Sequence, residues 1–421
     1  MDNGARRRAV ITGMGAVTPI GNSVQEFWDS AVAGKSGVGR VTLIPADRIA
    51  RYPSRVSGEV KDFNPEDFIE RREARRMARF SQFAVASASM ALADAQLDMD
   101  SIDRERVGVV LGNGIGAMQD VEDAIRTIDT KGGRRIDPLF LPKMLANMGA
   151  AQVAIQNGMK GYLNTHVTAC AASTQAMGEA IEVIRSGRQD VILTGGTEAA
   201  ICEVGVAGFC ILGALSTNHN DEPERASRPF DAERDGFIAA EGAAIFVLEE
   251  LEHAKRRGAT ILAELAGHAA CADAYHVVAP CADGEGAART MRWALEDAGV
   301  ELDDVDYINA HGTSTQLNDS SETAAIKAVF GEAAYQIPIS STKSMIGHAL
   351  GASGAIESLA CVKALETGML APTINYENPD PACDLDYVPN KARQADPKVV
   401  LKNSFGFGGQ NACLVFRKYE D

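Results

Sequence analysis

Short apolar runs alternate along the chain with longer segments whose apolar positions recur every three or four residues. The longer segments predict helices at about 81–96, 171–186, 285–298, 321–330 and 352–367. The short runs predict strands near 107–111, 162–168, 190–194, 243–249, 261–267, 305–309, 337–340, 399–403 and 411–417. Strands that alternate with helices and are apolar throughout imply a sheet covered on both faces. The pattern therefore predicts a layered α/β architecture. Irregular stretches from Ser216 to Gly242 and from Pro372 to Pro397 cross between elements, and neither has the composition of a flexible tether.

Glycines punctuate this pattern in places that invite a nucleotide-binding reading. Ala9–Ile11 followed by Thr12-Gly13-Met14-Gly15 reads as a first strand and turn. Thr18-Pro19 stands where a third glycine belongs, and no acidic residue ends a second strand at the required distance. Gly112-Asn113-Gly114-Ile115-Gly116 fails the same test. These glycines are expected to serve tight turns and close packing.

Chemistry concentrates in the stretch Tyr162–Gly187, which runs from a strand into a helix with Cys170 at the junction. A helix N-terminus favours thiolate over thiol, so Cys170 is a candidate nucleophile of lowered pKa. A buried core cysteine is the alternative. Three more clusters lie at strand-to-loop junctions. Asn309-Ala310-His311-Gly312-Thr313-Ser314-Thr315 leads through Asp319 to Glu322. Lys343 precedes His348 in a small, apolar setting, with Gly347, Gly351 and Gly354 at helical spacing. Asn403-Ser404-Phe405-Gly406-Phe407-Gly408-Gly409 forms a Gly-Phe loop able to present N–H groups to an oxyanion. A metal held by His311, Asp319 and Glu322 is conceivable, but no ligand spacing supports it. A thiol, two histidines, a lysine and an oxyanion loop are the parts of acyl transfer through a thioester.

Composition narrows the field. With 421 residues, 46% of them hydrophobic and 23% charged, the chain is an ordinary globular protein of two domains or a duplicated unit. The net charge of −16 argues against nonspecific nucleic-acid binding. No apolar run approaches a membrane span. Arg6, Arg7 and Arg8 precede a strand, not the apolar core of a signal peptide. Eight cysteines without a CxxC pair suggest a reducing cytoplasm. One basic segment departs from the acidic average. In RREARRMAR, Arg72, Arg75, Arg76 and Arg79 would share one helical face, either a dock for an acidic partner or a solvated surface.

The motifs TACAAS around Cys170, HGTST at 311–315, KSMIGHALGASG at 343–354 and NSFGFGG at 403–409 resemble those of the β-ketoacyl-[acyl carrier protein] synthases. The synthase II type is the nearest match in order and spacing. Supporting segments are VITGMGAVTPIGN at 10–22, GGTEAA at 195–200 and ASRPFDAERDGF at 226–237.

This resemblance implies a thiolase-like five-layer αβαβα sandwich of two pseudo-symmetric βαβαβαββ halves, 1–258 and 259–421, acting as a homodimer. Cys170 would end the central strand of the first half and accept the acyl chain. His311 and His348 would stabilise the enolate left when malonyl-[acyl carrier protein] loses carbon dioxide, with Lys343 and Glu322 orienting them. The N–H groups of Cys170 and Phe407 would form the oxyanion hole, and Phe407 would also gate the site. Ile115 and Phe209 match acyl-pocket positions. Arg72, Arg75, Arg76, Arg134 and Arg135 match the surface that meets acyl carrier protein. Substrates would arrive on the carrier's phosphopantetheine, with no cofactor or metal required. Departures from the family pattern are Gln316, Ser320, Gln410, Gly213 and His166, the last without an assignable role. Rival readings are a polyketide ketosynthase, a thiolase and a non-catalytic chain-length partner. Cys413 does not match the second reactive cysteine of a thiolase because it lies inside a predicted strand, and Cys170 argues against the non-catalytic partner.

Overall fold

The structure is a computed structural model that describes residues 6–420. Its principal elements in the first half are β1 (Ala9–Val17), α1 (Arg79–Asp94), β2 (Val107–Gly112), α2 (Met148–Asn157), β3 (Leu163–His166), α3 (Ala172–Arg185), β4 (Val191–Ala199) and β5 (Glu241–Glu250). The second half repeats the sequence of elements: β6 (Ala263–Ala272), α4 (Glu285–Ala298), β7 (Tyr307–Asn309), α5 (Gln316–Phe330), β8 (Ile339–Ser340), α6 (Ser353–Thr367), β9 (Val399–Gly406) and β10 (Gln410–Arg417). Shorter helices decorate the connections.

Strand order runs β8-β7-β9-β10-β6-β1-β5-β4-β2-β3. Each half carries the same order, since β3-β2-β4-β5-β1 becomes β8-β7-β9-β10-β6. The directions repeat as well. β2 lies parallel to β3 and β4, and β5 antiparallel to β4 and β1. β7 lies parallel to β8 and β9, and β10 antiparallel to β9 and β6. The halves join by a short antiparallel seam, Val10 opposite Glu264 and Ile11 opposite Ala263. The repeat invisible in the sequence is therefore explicit in the topology.

Helices α3 and α6 pack against each other between the two half-sheets, α1 and α2 cover the first from outside, and α4 and α5 cover the second. This is the expected five-layer thiolase-like sandwich. The middle helix α6 is buried on all sides: Leu359, Ala360, Cys361 and Val362 are consecutive and fully enclosed. It shares a core with Met177, Ile181 and Ile184 of α3. The turn with Cys170 leads directly into α3 and the turn after His348 into α6, and the starts of the two helices meet where Gly354 lies against Thr174.

Three sequence expectations need correction. First, Thr12–Gly15 is no turn, and β1 runs unbroken to Val17 with a bulge between Ile11 and Gly13. Its glycines admit α1: a Cβ on Gly13 would sit 2.4 Å from the Ala91 carbonyl oxygen, and one on Gly15 2.0 Å from that of Ser87. Second, the strand before Cys170 is not central. β3 is the open edge of its half-sheet, with Leu163 exposed. Third, Gly347, Gly351 and Gly354 do not line one helix. Gly347 has φ of +80° and ends the short helix Lys343–Ile346, and α6 begins only at Ser353. Close approach survives: a Cβ on Gly351 would meet Gly114 N at 2.2 Å, and one on Gly354 Thr174 Oγ1 at 2.0 Å.

Candidate active site

Cys170 lies in a single 3₁₀ turn, Ala169–Ala171, that turns the chain from β3 into α3. Ala169 adopts φ of +49°, in the left-handed region that non-glycine residues avoid. Ser314 (+68°) and Leu350 (+43°), beside the two histidine loops, share this strain. Ala169 and Leu350 line one cavity, and Ser314 stands between two of its lining residues, Thr313 and Thr315. That cavity, of about 350 Å³, is lined by Cys170, His311, His348, Ile115, Phe209 and Phe407, and by Gln316 among others. Four segments quoted from distant parts of the sequence meet there.

The N–H groups of Phe407 and of Cys170 itself point to the Cys170 sulfur. Gly406 is required for this approach, because a Cβ there would lie 3.0 Å from both Cys170 N and the Thr168 carbonyl oxygen. The resting thiol does not have the lowered pKa expected of a helix N-terminus. Burial pushes it up to about 12, against the opposing pull of the Lys343 ammonium and the Phe407 N–H. Desolvation outweighs the dipole because the side chain is almost entirely enclosed.

His311 and His348 face each other edge to face, ring centroids 5.3 Å apart. Burial holds both imidazoles well below the ordinary histidine range, and the positive charges of Lys343 and Lys402 push in the same direction. Both rings are therefore neutral. The Lys343 ammonium lies 3.3 Å from His311 Nδ1 and donates to the His311 carbonyl oxygen at 2.6 Å. An ammonium only donates, so Nδ1 accepts and the Nε2 proton is left for the cavity. His348 Nδ1 is 2.7 Å from the Ser353 hydroxyl.

Glu322 acts on backbone. Its two oxygens accept the His311 and Gly312 N–H groups, each at 2.8 Å. Asp319 instead accepts the Phe230 N–H and faces Arg234. His311, Asp319 and Glu322 therefore do not converge as metal ligands. Among the described residues, Glu182, His268 and Asp297 do converge, but Arg6 and Arg185 pair with their carboxylates.

Sequence reasoning overlooked three buried charges. Glu357 of α6 binds Lys343 at 2.5 Å and Lys402 at 2.7 Å. Glu198 accepts N–H groups from Gly114 at 2.7 Å and Gly351 at 3.1 Å, tying one half to the other. Burial pushes the Glu198 carboxyl up to about 7. An acid in the apolar first half of α6, and a lysine directly before the Gly-Phe loop, were the available signals for two of them.

His166 now has a structural role. Tyr162, just before the edge strand, and Asn164 and His166 on it all converge on Glu179 of α3. Cys413 is enclosed within β10, away from the cavity, which removes the thiolase arrangement. Gln316 donates to the Arg234 carbonyl oxygen at 2.7 Å, Ser320 bonds back into its own helix, and Gln410 stands 3.5 Å from Gln175. Nothing lies within 4 Å of a Cβ built on Gly213.

The basic segment also differs from expectation. Its helix covers only Arg71–Ala74, and a non-helical turn separates it from α1. Arg72, Arg75 and Arg76 are exposed, as are Arg134 and Arg135 in a separate turn. Arg79 turns inward to the buried Glu241 at 2.7 Å and does not belong to the outer face.

Fold and site together define a thiolase-like protein with a cysteine and two histidines in one buried cavity. Residues 6–254 match the family described as Beta-ketoacyl synthase, N-terminal domain, and residues 262–377 match Beta-ketoacyl synthase, C-terminal domain. The chain belongs to the beta-ketoacyl synthase family. It is 48% identical over the full length of both chains to 3-oxoacyl-[acyl-carrier-protein] synthase 2 of Synechocystis sp.. It is also 48% identical to the protein of that name from Staphylococcus aureus, covering 98% of this chain and 99% of that one. Among solved structures, a type II polyketide ketosynthase in complex with its acyl-carrier protein superposes with a TM-score of 0.90 at 41% identity, covering 99% of this chain and all of the other. A beta-ketoacyl synthase from Burkholderia phymatum does so with a TM-score of 0.90 at 39% identity, covering 98% of this chain and all of that one.

Proposed function

We propose that this enzyme catalyses the decarboxylative condensation of fatty-acid elongation, joining an acyl chain held on Cys170 to malonyl-[acyl carrier protein]. The observation that carries this reading is the cavity in which Cys170, with N–H groups aimed at its sulfur, shares space with two neutral imidazoles.

The chemistry balances without an oxidant. The Cys170 sulfur attacks the thioester carbon, a C–S bond forms, and the carrier sulfur leaves with the thiol proton. The N–H groups of Cys170 and Phe407 stabilise the tetrahedral oxyanion. Malonyl-carrier then loses carbon dioxide, and the electron pair of the broken C–C bond becomes an enolate on the thioester oxygen. Neutral histidines suit this step, because each can donate one N–H to that oxygen without surrendering a full proton. The α-carbon attacks the acyl-Cys170 carbonyl and the C–S bond breaks. The released Cys170 sulfur takes one proton from solvent, the proton the overall reaction consumes, leaving a 3-oxoacyl-carrier two carbons longer. Loss of carbon dioxide drives the sequence, so no cofactor or metal is called for.

Ile115 and Phe209 would shape the acyl channel and Phe407 its gate. Acyl carrier protein, an acidic partner, suits the exposed Arg72, Arg75 and Arg76 and the pair Arg134 and Arg135. We place the boundary between the halves at 258/259. The chain acts as a homodimer, a reading supported by the open edge of β3 with exposed Leu163 and Val167. It works in the cytoplasm, a reading supported by eight free cysteines. Incubation with acyl-carrier and malonyl-carrier, followed by mass analysis of the carrier, tests the reaction. A product two carbons longer with a 3-oxo group supports it, and absence of any extended carrier would refute it. A polyketide ketosynthase would instead add further unreduced units in the same incubation.

A further inference from the structure

Lys402 is fully enclosed, one residue ahead of the Gly-Phe loop motif, and takes no part in the chemistry above. Its ammonium lies 2.7 Å from Glu357 Oε2, a charge contact off hydrogen-bond alignment. It donates to the Asn403 carbonyl oxygen and approaches the Ser404 hydroxyl at 3.3 Å. Ser404 Oγ meets Thr174 Oγ1 of α3 at 2.7 Å. Asn403 Nδ2 donates to Glu322 Oε1 at 3.2 Å, and Glu322 holds the His311 backbone. Glu357 Oε1 holds Lys343, which binds the His311 carbonyl oxygen.

These contacts close a ring: Lys402, Glu357, Lys343, His311, Glu322, Asn403 and back to Lys402. Two ammonium groups and two carboxylates make it neutral in sum, the condition under which charges are tolerated at such depth. The ring joins the two parts of the site that must act in register. His311 sits on one side, and on the other is the strand that runs through Asn403 and Ser404 to Phe407. Phe405 on that strand also touches the His311 ring edge to face, centroids 5.6 Å apart.

We infer that Lys402 is a positioning residue, an internal cation that fixes His311 and the Phe407 loop relative to each other through Glu357 and Asn403. The inference rests on the condensation reading, in which His311 serves decarboxylation and Phe407 N–H serves acylation.

Chemical rescue tests it. Lys402→Ala removes the ammonium and leaves a cation-sized space against Glu357. It should decarboxylate malonyl-carrier at least about tenfold more slowly than the parent enzyme, and methylammonium should restore the rate saturably. Tetramethylammonium, bulky and without N–H, should restore nothing. Lys402→Met fills the space, so it should lose the rate and not respond to methylammonium. A parent-like rate in either variant would overturn the inference, as would a slow Lys402→Ala enzyme that methylammonium leaves unchanged. Parent enzyme that fails to decarboxylate malonyl-carrier would instead refute the condensation reading.

Discussion

His311 and His348, contributed by loops after β7 and β8, meet edge to face with an interplanar angle of 83°. One is steadied by Lys343 and the other by Ser353, so two rings of the same chemistry are held by different means. Replacing either with alanine should slow malonyl decarboxylation by about 10²- to 10⁴-fold, the range of a positioned proton donor. Acyl loading of Cys170 should persist in at least one of the two variants. Carbon dioxide release from malonyl-carrier measures the first effect, and unchanged release in both variants would refute the assignment.

Glu357 is the only carboxylate within ion-pair reach of either buried lysine among the described residues. Glu357→Gln leaves two ammonium groups short of a partner and should cost about 3–5 kcal/mol of stability. Adding Lys402→Met restores charge balance in the ring, so the double variant should unfold at higher urea than Glu357→Gln alone. Urea midpoints measure this coupling. A double variant no more stable than Glu357→Gln would show that the ring is not balanced in this way.

The depressed histidines also make a signed prediction. Their folded pKa values lie below the ordinary 6.5, so the unfolded chain binds more protons once the pH falls below it. Stability from burying them neutral is present in full above 6.5 and is lost as the pH falls from there towards the folded values. His348→Asn should therefore lose less thermal stability between about pH 7 and about pH 5 than the parent does. Equal losses in both would contradict neutral burial of His348.

Much of the site was legible because its reacting groups travel with distinctive neighbours. Cys170, His311, His348 and the Gly-Phe loop each sit beside small residues that allow close approach, and that signature survives in one dimension. The supporting charges were not legible. Nothing in one dimension pairs Lys402 with Glu357, far apart in the chain, until the fold brings them together beside the site. The Cys170 pKa was misjudged for a related reason: a helix terminus is visible in sequence, but the burial that opposes it is not. Arg79 looked like its arginine neighbours because the turn between Ala74 and Arg79 carries no proline or glycine. Gly13 and Gly15 resembled a turn because a glycine needed for contact with α1 looks the same as one needed for a positive φ.

A buried thiol raised to about 12 should react slowly with alkylating agents at neutral pH. The rate of iodoacetamide labelling at Cys170, followed on its peptide by mass, should rise about tenfold per pH unit from about pH 7 to about pH 9. A rate already at its plateau at neutral pH would mean that the resting residue is a thiolate.

The most direct test of the central claim is the intact mass of the enzyme after incubation with acyl-[acyl carrier protein] alone. The parent chain should gain one acyl group, located on Cys170, and release it when malonyl-[acyl carrier protein] is added. Cys170→Ala should gain none. Acylation of the Cys170→Ala chain, or a parent chain whose mass never changes, would contradict the account.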